Sequence, residues 1–410
     1  MNIADSERIA GVLEQIGYEK APNLDEADLA VVNMCSVRQS AVDRVCGISQ
    51  KLIQSKKKRH KTILTGCMLR QDLHKFEDKF DFVFDIKDLK NWPRYLKGKE
   101  LGKKDLCKIS VEPRRQNDFL AHIPISNGCN NFCSYCVVPY VRGKETCINH
   151  QQIINEVKKS VEGGAKEIWL LGQNVNSYKS PENKKIDFPE LLKMVNEIPG
   201  NFWIRFTSPH PKDLSDKLIK VMKSCKKITP YLNLPIQSGS NQILKKMNRP
   251  YTTNHYKKIV DKVRRAIPGI FLSTDIIVGF PQETKKQFEK TKKFFEKIGF
   301  DMAYILKYSP RPGTVSAKMK DDVEKKEKEN RYRILTESLK KSSLKNNEKM
   351  IGKDLEVLVL KETKNLLEGK TRDYRNIVFE GPKKLIGNFV LVNITSATPW
   401  GLRGKIISTI

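Results

Sequence analysis

The sequence predicts an α/β protein in three parts: a small α/β unit with a parallel sheet, a partial (β/α)6 barrel, and a small terminal β-barrel. Three observations carry this reading. Residues 3 to 100 alternate helical and extended patterns, six extended runs recur with helices between them from His122 to Ser309, and the last 60 or so residues change to short strands with Gly and Asn turns. At 410 residues the chain is long enough for two or three domains, each burying a core without disulfides.

In the first part, a helix from about Ala4 to Gly17 precedes the extended run "LAVVNMC", a helix from about Val37 to Gln54 and the runs "KTILTGC" and "FDFVFDI". Two of these runs end in cysteine, Cys35 and Cys67, and in open α/β sheets ligands bind at the carboxyl ends of strands. The polar, aperiodic "GKKDLCKISVEPRRQND" reads as a linker. The second part carries "HIPIS", "EIWLLG", "WIRFTS", "YLNLPI", "LSTDIIVGF" and "DMAYILKYS". Its polar and Gly-containing segments ("GQN", "SPHP", "QSGS", "GFPQET") fall after strands, where a barrel of this kind places its active site. A charged helix from about Asp322 to Lys349 follows. The strands "DLEVLVLKE", "RNIVFEG", "GNFVLVNI" and "GLRGKIIS" then fit a small barrel of the oligonucleotide-binding kind.

Lys and Arg number 76 against 47 Asp and Glu, a formal +29 that favours a polyanionic partner, with nucleic acid the natural candidate. Part of that excess lies on solvated helix faces such as "KKEKENRYRILTESLKKSSLKNNEK". The apolar runs are far shorter than the roughly 20 residues of a membrane-spanning helix. The amino terminus lacks the basic start and apolar stretch of a secretory signal, so a cytoplasmic location is expected.

Nine cysteines scattered over such a chain argue against a disulfide framework and for metal or redox use of a subset. Cys129, Cys133 and Cys136 form C-x3-C-x2-C after the first barrel strand. A closed zinc site wants four ligands, usually from two C-x2-C pairs, and only one such pair is present here. Iron–sulfur clusters also usually take four thiolates, so three leave one iron of a 4Fe-4S cluster open to an external ligand.

This loop resembles that of the radical S-adenosylmethionine enzymes, matched by Cys129, Cys133, Tyr135 and Cys136. The resemblance implies that the open iron binds the amino and carboxylate groups of S-adenosylmethionine, whose cleavage gives a 5′-deoxyadenosyl radical. It also places Tyr135, Gly172, Gln173, Asn174, Asp275 and Gly279 beside the cofactor. Tyr135 is equally readable as a core aromatic, and Gly at strand ends is common for backbone reasons alone. With "NMCSVRQSAVDRV", "TGCMLRQ", "CVVPYVRGKE", "LLGQNVNSY", "LPIQSGSNQILKKMNRPYT", "STDIIVGFPQET" and "YSPRPGT", the whole chain resembles the methylthiotransferases, in their tRNA 2-methylthio-N6-dimethylallyladenosine synthase (MiaB) branch.

That family implies a methylthiotransferase domain over 1–103, a radical core over 115–345 and an RNA-binding TRAM domain over 348–410. It implies two 4Fe-4S clusters, an auxiliary one with Cys35 and Cys67 among its ligands, and two molecules of S-adenosylmethionine. One methylates a sulfur associated with the auxiliary cluster; the other supplies the radical that activates C2 of N6-dimethylallyladenosine at position 37, beside the anticodon. The implied partners are the tRNA anticodon stem-loop, an electron donor such as a flavodoxin or ferredoxin, and the iron–sulfur assembly machinery, for a monomer away from the membrane. Tyr374, Phe379 and Trp400 are available for bases, although Trp400 also reads as a barrel core residue.

The family takes three auxiliary cysteines, and this chain opens at Met1-Asn2, just past where the first would stand. A start codon assigned too late or a truncated gene is the expected explanation; the alternatives are a chain inactive in sulfur insertion, or another thiol as substitute. Cys46, on the second helix, is the nearest spare, whereas Cys107, Cys147 and Cys225 read as ordinary thiols. Met34 stands where Thr is usual and Pro250 where Gly is usual. Rival functions are the sister methylthiotransferases acting on threonylcarbamoyladenosine in tRNA or on a ribosomal aspartate, and a non-enzymatic RNA-binding protein with structural metal. The last predicts four-ligand sites, which the cysteine spacing lacks.

Overall fold

The computed structural model describes residues 1–54, 61–97 and 110–410. Helix α1 (Asn2–Gln15) leads to strand β1 (Leu29–Cys35), helix α2 (Gln39–Gln54), β2 (Lys61–Cys67) and the two-residue β3 (Phe82–Val83), which form a parallel sheet in that order. The run "FDFVFDI" was expected to be a full strand and is not. Phe84 turns into an aromatic cluster with Trp92 and Tyr95, at centroid distances of 5.2 and 5.4 Å. Asp85 then caps a 3-10 turn by accepting from the Lys87 N–H at 2.9 Å, which ends strand pairing. Cys46 lies on α2, packed at the edge of an apolar cluster that includes Met34. Cys107 lies outside the described residues.

The middle of the chain forms β4 (Leu120–Pro124), a short antiparallel pair β5 (Ser126–Asn127) and β6 (Thr146–Cys147), then β7 (Glu167–Leu171), β8 (Trp203–Phe206), β9 (Tyr231–Asn233), β10 (Phe271–Val278) and β11 (Met302–Lys307). Two parallel sheets, β4-β7-β8 and β9-β10-β11, are stitched together by the Ile204 N–H to Lys227 O and Thr229 N–H to Ile204 O bonds of 2.8 and 3.1 Å. The result is a partial barrel of six parallel strands. Alternate residues divide its two faces: Ile168, Leu170, Ile204 and Leu232 pack outward against the helices, whereas Trp169, Leu171, Tyr231 and Phe271 fill the lumen together with Ala4 of α1. β9 stops short of the "YLNLPI" run because Pro235 has no N–H to give to a ladder.

The charged helix spans Lys325–Glu348, three residues later than expected at its start, because Asp322 instead accepts from the Gln282 N–H at 2.7 Å. It leads into a closed five-stranded barrel of β12 (Asp354–Thr363), β13 (Leu366–Thr371), β14 (Asn376–Phe379), β15 (Phe389–Thr398) and β16 (Gly401–Thr409), in the order β12-β13-β14-β16-β15. Lys364 and Asn365 both take positive φ, 52° and 63°, in the two-residue turn between β12 and β13. Phe379 is a correction: it is 2% exposed inside this barrel with Val357, Leu367 and Ile377, and is closed to RNA.

The terminal barrel is bonded to the strand array through Arg205 of β8, whose side chain is fully buried. Its guanidinium pairs with Glu167, donates to the Thr229 hydroxyl at 2.8 Å, and reaches the Arg372 and Thr371 carbonyls at 2.9 and 3.1 Å. Arg375 returns the contact by pairing with Asp301 at 2.9 Å, and Trp203 meets Phe389 at 4.7 Å between ring centroids. Removing one member of a buried pair strands the other charge, at a cost of about 3–5 kcal/mol. Arg205→Ala is therefore expected to lower the denaturation midpoint by that order and to let limited proteolysis release the 348–410 barrel; an unchanged midpoint and digestion pattern would refute this account of the interface.

Candidate metal centre and strand-end site

The cysteine loop leaves β5 through Gly128, at φ +83°, where a Cβ would stand 2.2 Å from the Lys144 carbonyl oxygen. The loop is thus folded tightly onto residues 143–144, and the Cys129 N–H donates to Gly143 O at 3.2 Å. The Cys136 N–H closes a turn on Cys133 O at 2.9 Å. Distant strand-end segments pin the loop: the Ser134 N–H donates to Met247 O at 3.0 Å, Ser134 O accepts from the Ser316 N–H at 2.8 Å, and Asn248 donates to Phe132 O at 3.0 Å.

Cys129 and Cys133 are buried, and burial pushes the Cys136 thiol up to about 12 and raises that of Cys129. Iron binding here would therefore release protons. Two donors address the sulfurs. Arg249 Nη1 reaches Cys133 Sγ at 3.4 Å and Asn131 Nδ2 reaches Cys129 Sγ at 3.5 Å. Arg249 is itself held by the Tyr251 hydroxyl at 2.7 Å and Pro235 O at 3.0 Å. Among the described residues no three of His, Cys, Asp and Glu converge on a single ion; an iron–sulfur cubane instead takes one thiolate per iron.

Around this loop the strand ends present buried polar atoms with no protein partner: Ser126 Oγ after β4, Gln173 Oε1 and Asn174 Oδ1 after β7, His210 Nε2 after β8, and Ser240 Oγ after β9. Buried polar atoms normally find hydrogen bonds, so several orphans at one rim mark a place for a polar ligand. His210 Nδ1 accepts from the Lys212 N–H at 3.2 Å, which assigns the proton to Nε2 and makes it a free donor. Gly172 sits where a Cβ would come within 2.7 Å of Ser126 Oγ. The set offers two amide oxygens that accept, the His210 Nε2–H that donates, and two hydroxyls that can do either, which suits a ligand bearing amino and carboxylate groups.

The remaining residues fall in three places. Tyr135 packs with Ile243, Met247, Ile277, Phe280 and Tyr308, beside Arg249, so it joins a core cluster. Asp275 points into the lumen and accepts a 3.4 Å bond from Asn233; burial raises its carboxyl pKa, opposed by that hydrogen bond and by the Arg38 and Arg249 cations. Gly279, at φ +68°, is packed against the helix Lys325–Glu348: a Cβ there would stand 2.3 Å from Lys328 Cγ. Glycine at 279 thus serves that close approach. Cys147 and Cys225 lie at and within the main apolar core.

Cys35 and Cys67 are direct register partners at the carboxyl ends of β1 and β2. Burial pushes the Cys67 thiol up to about 11, opposed first by Arg142. Arg142 lies six positions after Cys136 and joins the two sites, bonding Asn127 Oδ1 at 2.9 Å and Asp5 Oδ2 at 2.7 Å. Arg311, in the segment after β11, locks the same seam by pairing with Asp72 at 2.6 Å. Sequence reading missed Arg142, Arg249 and His210; the first two were hidden among 76 basic residues, and His210 in "SPHP" carried no spacing signal.

Residues 123–295 match the radical SAM superfamily, 1–85 an uncharacterized protein family, UPF0004, and 348–407 the TRAM domain. The chain is 40% identical over 430 residues, 100% of its own length and 91% of the relative's, to a tRNA-2-methylthio-N(6)-dimethylallyladenosine synthase of Thermoanaerobacter sp. (strain X514). It is 41% identical over 426 residues to the synthase of the same name from Clostridium novyi (strain NT), covering 99% of this chain and 94% of that one. Among solved structures it is similar in fold to the cobalamin-dependent S-adenosylmethionine radical enzyme OxsB (TM-score 0.51, 12% identity, 82% of this chain and 54% of that one). The radical S-adenosylmethionine methyltransferase TsrM from Kitasatospora setae is similar to the same degree (TM-score 0.51, 13% identity, 75% and 65%).

Two expectations follow from the geometry. Loss of the Arg249 cation should destabilise the more negative, reduced cluster: Arg249→Gln is expected to lower its potential by roughly 60–130 mV, the equivalent of the ~1.5–3 kcal/mol in a charged hydrogen bond, with Arg249→Lys intermediate. An EPR-monitored redox titration showing parent and variant alike would refute this. Burial and Arg249 hold His210 down to about 2, so the folded imidazole stays neutral while the unfolded one gains a proton below about pH 6.5. The unfolded state then binds more protons, and stability falls with acid. His210→Asn should lose less stability than the parent between pH 6.5 and 4.5, by up to ~1.4 kcal/mol per pH unit, as read by denaturation at each pH; equal losses would refute it.

Proposed function

This chain belongs to the tRNA-2-methylthio-N(6)-dimethylallyladenosine synthase family, and from that premise we propose that it is a radical S-adenosylmethionine enzyme placing a methylthio group on C2 of N6-dimethylallyladenosine at position 37 of tRNA. The observation that carries the reading is a three-cysteine loop set at the carboxyl ends of a parallel strand array, ringed by buried polar atoms without partners. When bound, two 4Fe-4S clusters and S-adenosylmethionine supply the electron, the radical and the methylthio group.

The chain's own residues divide the remaining work. Cys129, Cys133 and Cys136 would hold a 4Fe-4S cluster and leave a site open for the cofactor, and Arg249 and Asn131, which donate to the Cys133 and Cys129 sulfurs, would tune its potential. Gly172 gives close backbone approach, and Gln173, Asn174, His210 and Ser240 offer hydrogen bonds to the cofactor's polar groups. Tyr135 backs the loop from the core, and Gly279 lets the helix Lys325–Glu348 close over the β10 end. Asp275 and Tyr304, adjacent in the β10/β11 register, face the lumen where a substrate adenosine would enter. Cys35 and Cys67 serve the auxiliary cluster on the opposing sheet, with Arg142 between the two sites. Trp169, Leu171 and Phe271 keep water from the lumen floor.

The tRNA anticodon stem-loop is the macromolecular partner, bound in part by the TRAM match at 348–407. A flavodoxin or ferredoxin as electron donor, the iron–sulfur assembly machinery and a monomeric state belong to the same proposal. No helix among the described residues is long and apolar enough to cross a membrane; a cytoplasmic location belongs to the same proposal, supported by the tRNA substrate.

Replacing Cys129, Cys133 or Cys136 by Ala is expected to abolish 5′-deoxyadenosine formation under reducing, anaerobic conditions, whereas Cys67→Ala should keep that cleavage and lose methylthiolation. tRNA from cells lacking the gene should accumulate N6-dimethylallyladenosine without its methylthio group. A triad variant that still makes 5′-deoxyadenosine, or an unchanged nucleoside profile, would overturn the reading.

A further inference from the structure

A cavity of about 320 Å³ lies where the terminal barrel docks on the strand array. That volume is within the ~300–1,000 Å³ of small-ligand pockets. Its walls come from both parts: Tyr304 of β11 on one side, and Lys370, Tyr374, Asn376 and Trp400 of the barrel on the other. Tyr304 is 40% exposed and Trp400 47% exposed, an unusual condition for large aromatics. The other three tryptophans, Trp92, Trp169 and Trp203, are buried.

The Trp400 turn is fixed while its ring stays unengaged. Asn376 Nδ2 donates to Trp400 O at 3.0 Å and the Trp400 N–H donates to Thr398 Oγ1 at 3.2 Å. Among the described residues no other ring or cation stacks on the indole. Two cations line the pocket: Arg375 is held in ion pairs, and Lys370, whose Nζ lies 4.0 Å from the Tyr374 ring centroid, bonds the neutral Asn376 Oδ1 at 2.5 Å. Asp301, the acid at this junction, is already paired with Arg375. The cavity therefore offers open aromatic faces with positive charge and no free carboxylate, which is the chemistry that receives a nucleobase and its phosphate.

Position narrows the choice of nucleotide. Tyr304 is the register partner of Asp275 in the lumen, so the cavity meets the lumen wall, while Tyr231, Phe271 and Met302 place it at the amino ends of β9, β10 and β11, away from the cysteine loop. A base held here is therefore a different nucleotide from the adenosine reacting at the carboxyl ends. We propose that this junction cavity is a second base-binding subsite, in which Trp400 stacks on an unpaired nucleobase of the anticodon loop other than the modified adenosine and Lys370 meets its phosphate. The proposal rests on the reading of tRNA as substrate and adds the register in which the loop is held.

The test uses the full chain and a synthetic anticodon stem-loop RNA, with single abasic positions placed in turn around the loop. Intact RNA is expected to quench the fluorescence of the exposed tryptophan, and Trp400→Phe should remove that quench. One abasic position, not that of the target adenosine, should weaken binding to the parent by roughly 5–150-fold, the range for one stacked base, and should weaken binding to Trp400→Ala hardly further. Lys370→Met should reduce the salt dependence of binding by about one counterion. If the RNA binds and is methylthiolated but every abasic position acts independently of Trp400, the subsite is wrong and the enzyme assignment stands. If no stem-loop RNA binds the parent, the tRNA reading fails and the subsite with it.

Discussion

Buried arginine–carboxylate pairs hold the three parts of this chain in one arrangement, and the chemistry depends on that arrangement. Arg205 with Glu167 and Arg375 with Asp301 fasten the terminal barrel; Arg311 with Asp72 and Arg142 with Asp5 fasten the amino-terminal sheet. A buried ion left without its partner costs several kcal/mol, so each seam has one favourable register. Each part has its own apolar core, and two smaller shared clusters, one around Trp169 and Tyr231 and one around Trp203 and Phe389, join the parts. Orientation therefore falls to the charged pairs, which are directional where apolar contact is not.

The consequence is clearest at the strand ends. Six parallel strands deliver a rim of loops to one side, and the seam at Arg142 and Arg311 turns the carboxyl ends of β1 and β2 toward that rim. The cysteine loop and the register partners Cys35 and Cys67 are thereby held on rigid elements across one bonded seam. The same rim sets the electrostatics. Burial opposes ionisation of Cys129, Cys136 and Cys67, while Arg249 and Arg142 stand where thiolates would need a counter-charge. One fixed cation beside each set of sulfurs offsets part of the charge that thiolates would carry in such buried surroundings.

Much of this was legible in the sequence for a physical reason. Strands buried on both faces read as apolar runs, and the six runs of the array stood out between helical segments. The C-x3-C-x2-C spacing was legible because a tight loop is the only way to bring three thiols together within eight residues. Other features left weaker traces. β13, "LLEGKT", has a single β-branched residue, Thr371, beside a Gly and two charges, and is a strand because its neighbours β12 and β14 require one. Phe379 looked available because sequence alternation does not say which face of a closing barrel is inside. Arg205 and Glu167 did leave a signal, each a lone charge in an apolar strand, and such a residue is almost never buried unless paired. Arg249 and Arg142 left none, since a basic residue in a loop of a +29 chain reads as solvated by default.

That excess charge also separates attraction from register. Lysines along the helix Lys325–Glu348 can draw a polyanion from a distance, but their field is screened beyond about 8–10 Å and has no sequence or geometry in it. Register has to come from short-range contacts on a surface that does not move relative to the reacting centre. A terminal barrel on a free linker would raise the local concentration of tRNA without fixing any nucleotide. Bonded through Arg205 to the lumen wall itself, the barrel becomes a ruler: the Thr371–Arg375 turn and the lumen residue Tyr231 share one packed cluster with Trp169 and Tyr374. The distance from an RNA contact on the barrel to the strand ends is then set by covalent and packed structure, so the site can select one adenosine by its position in the loop as well as by its chemistry.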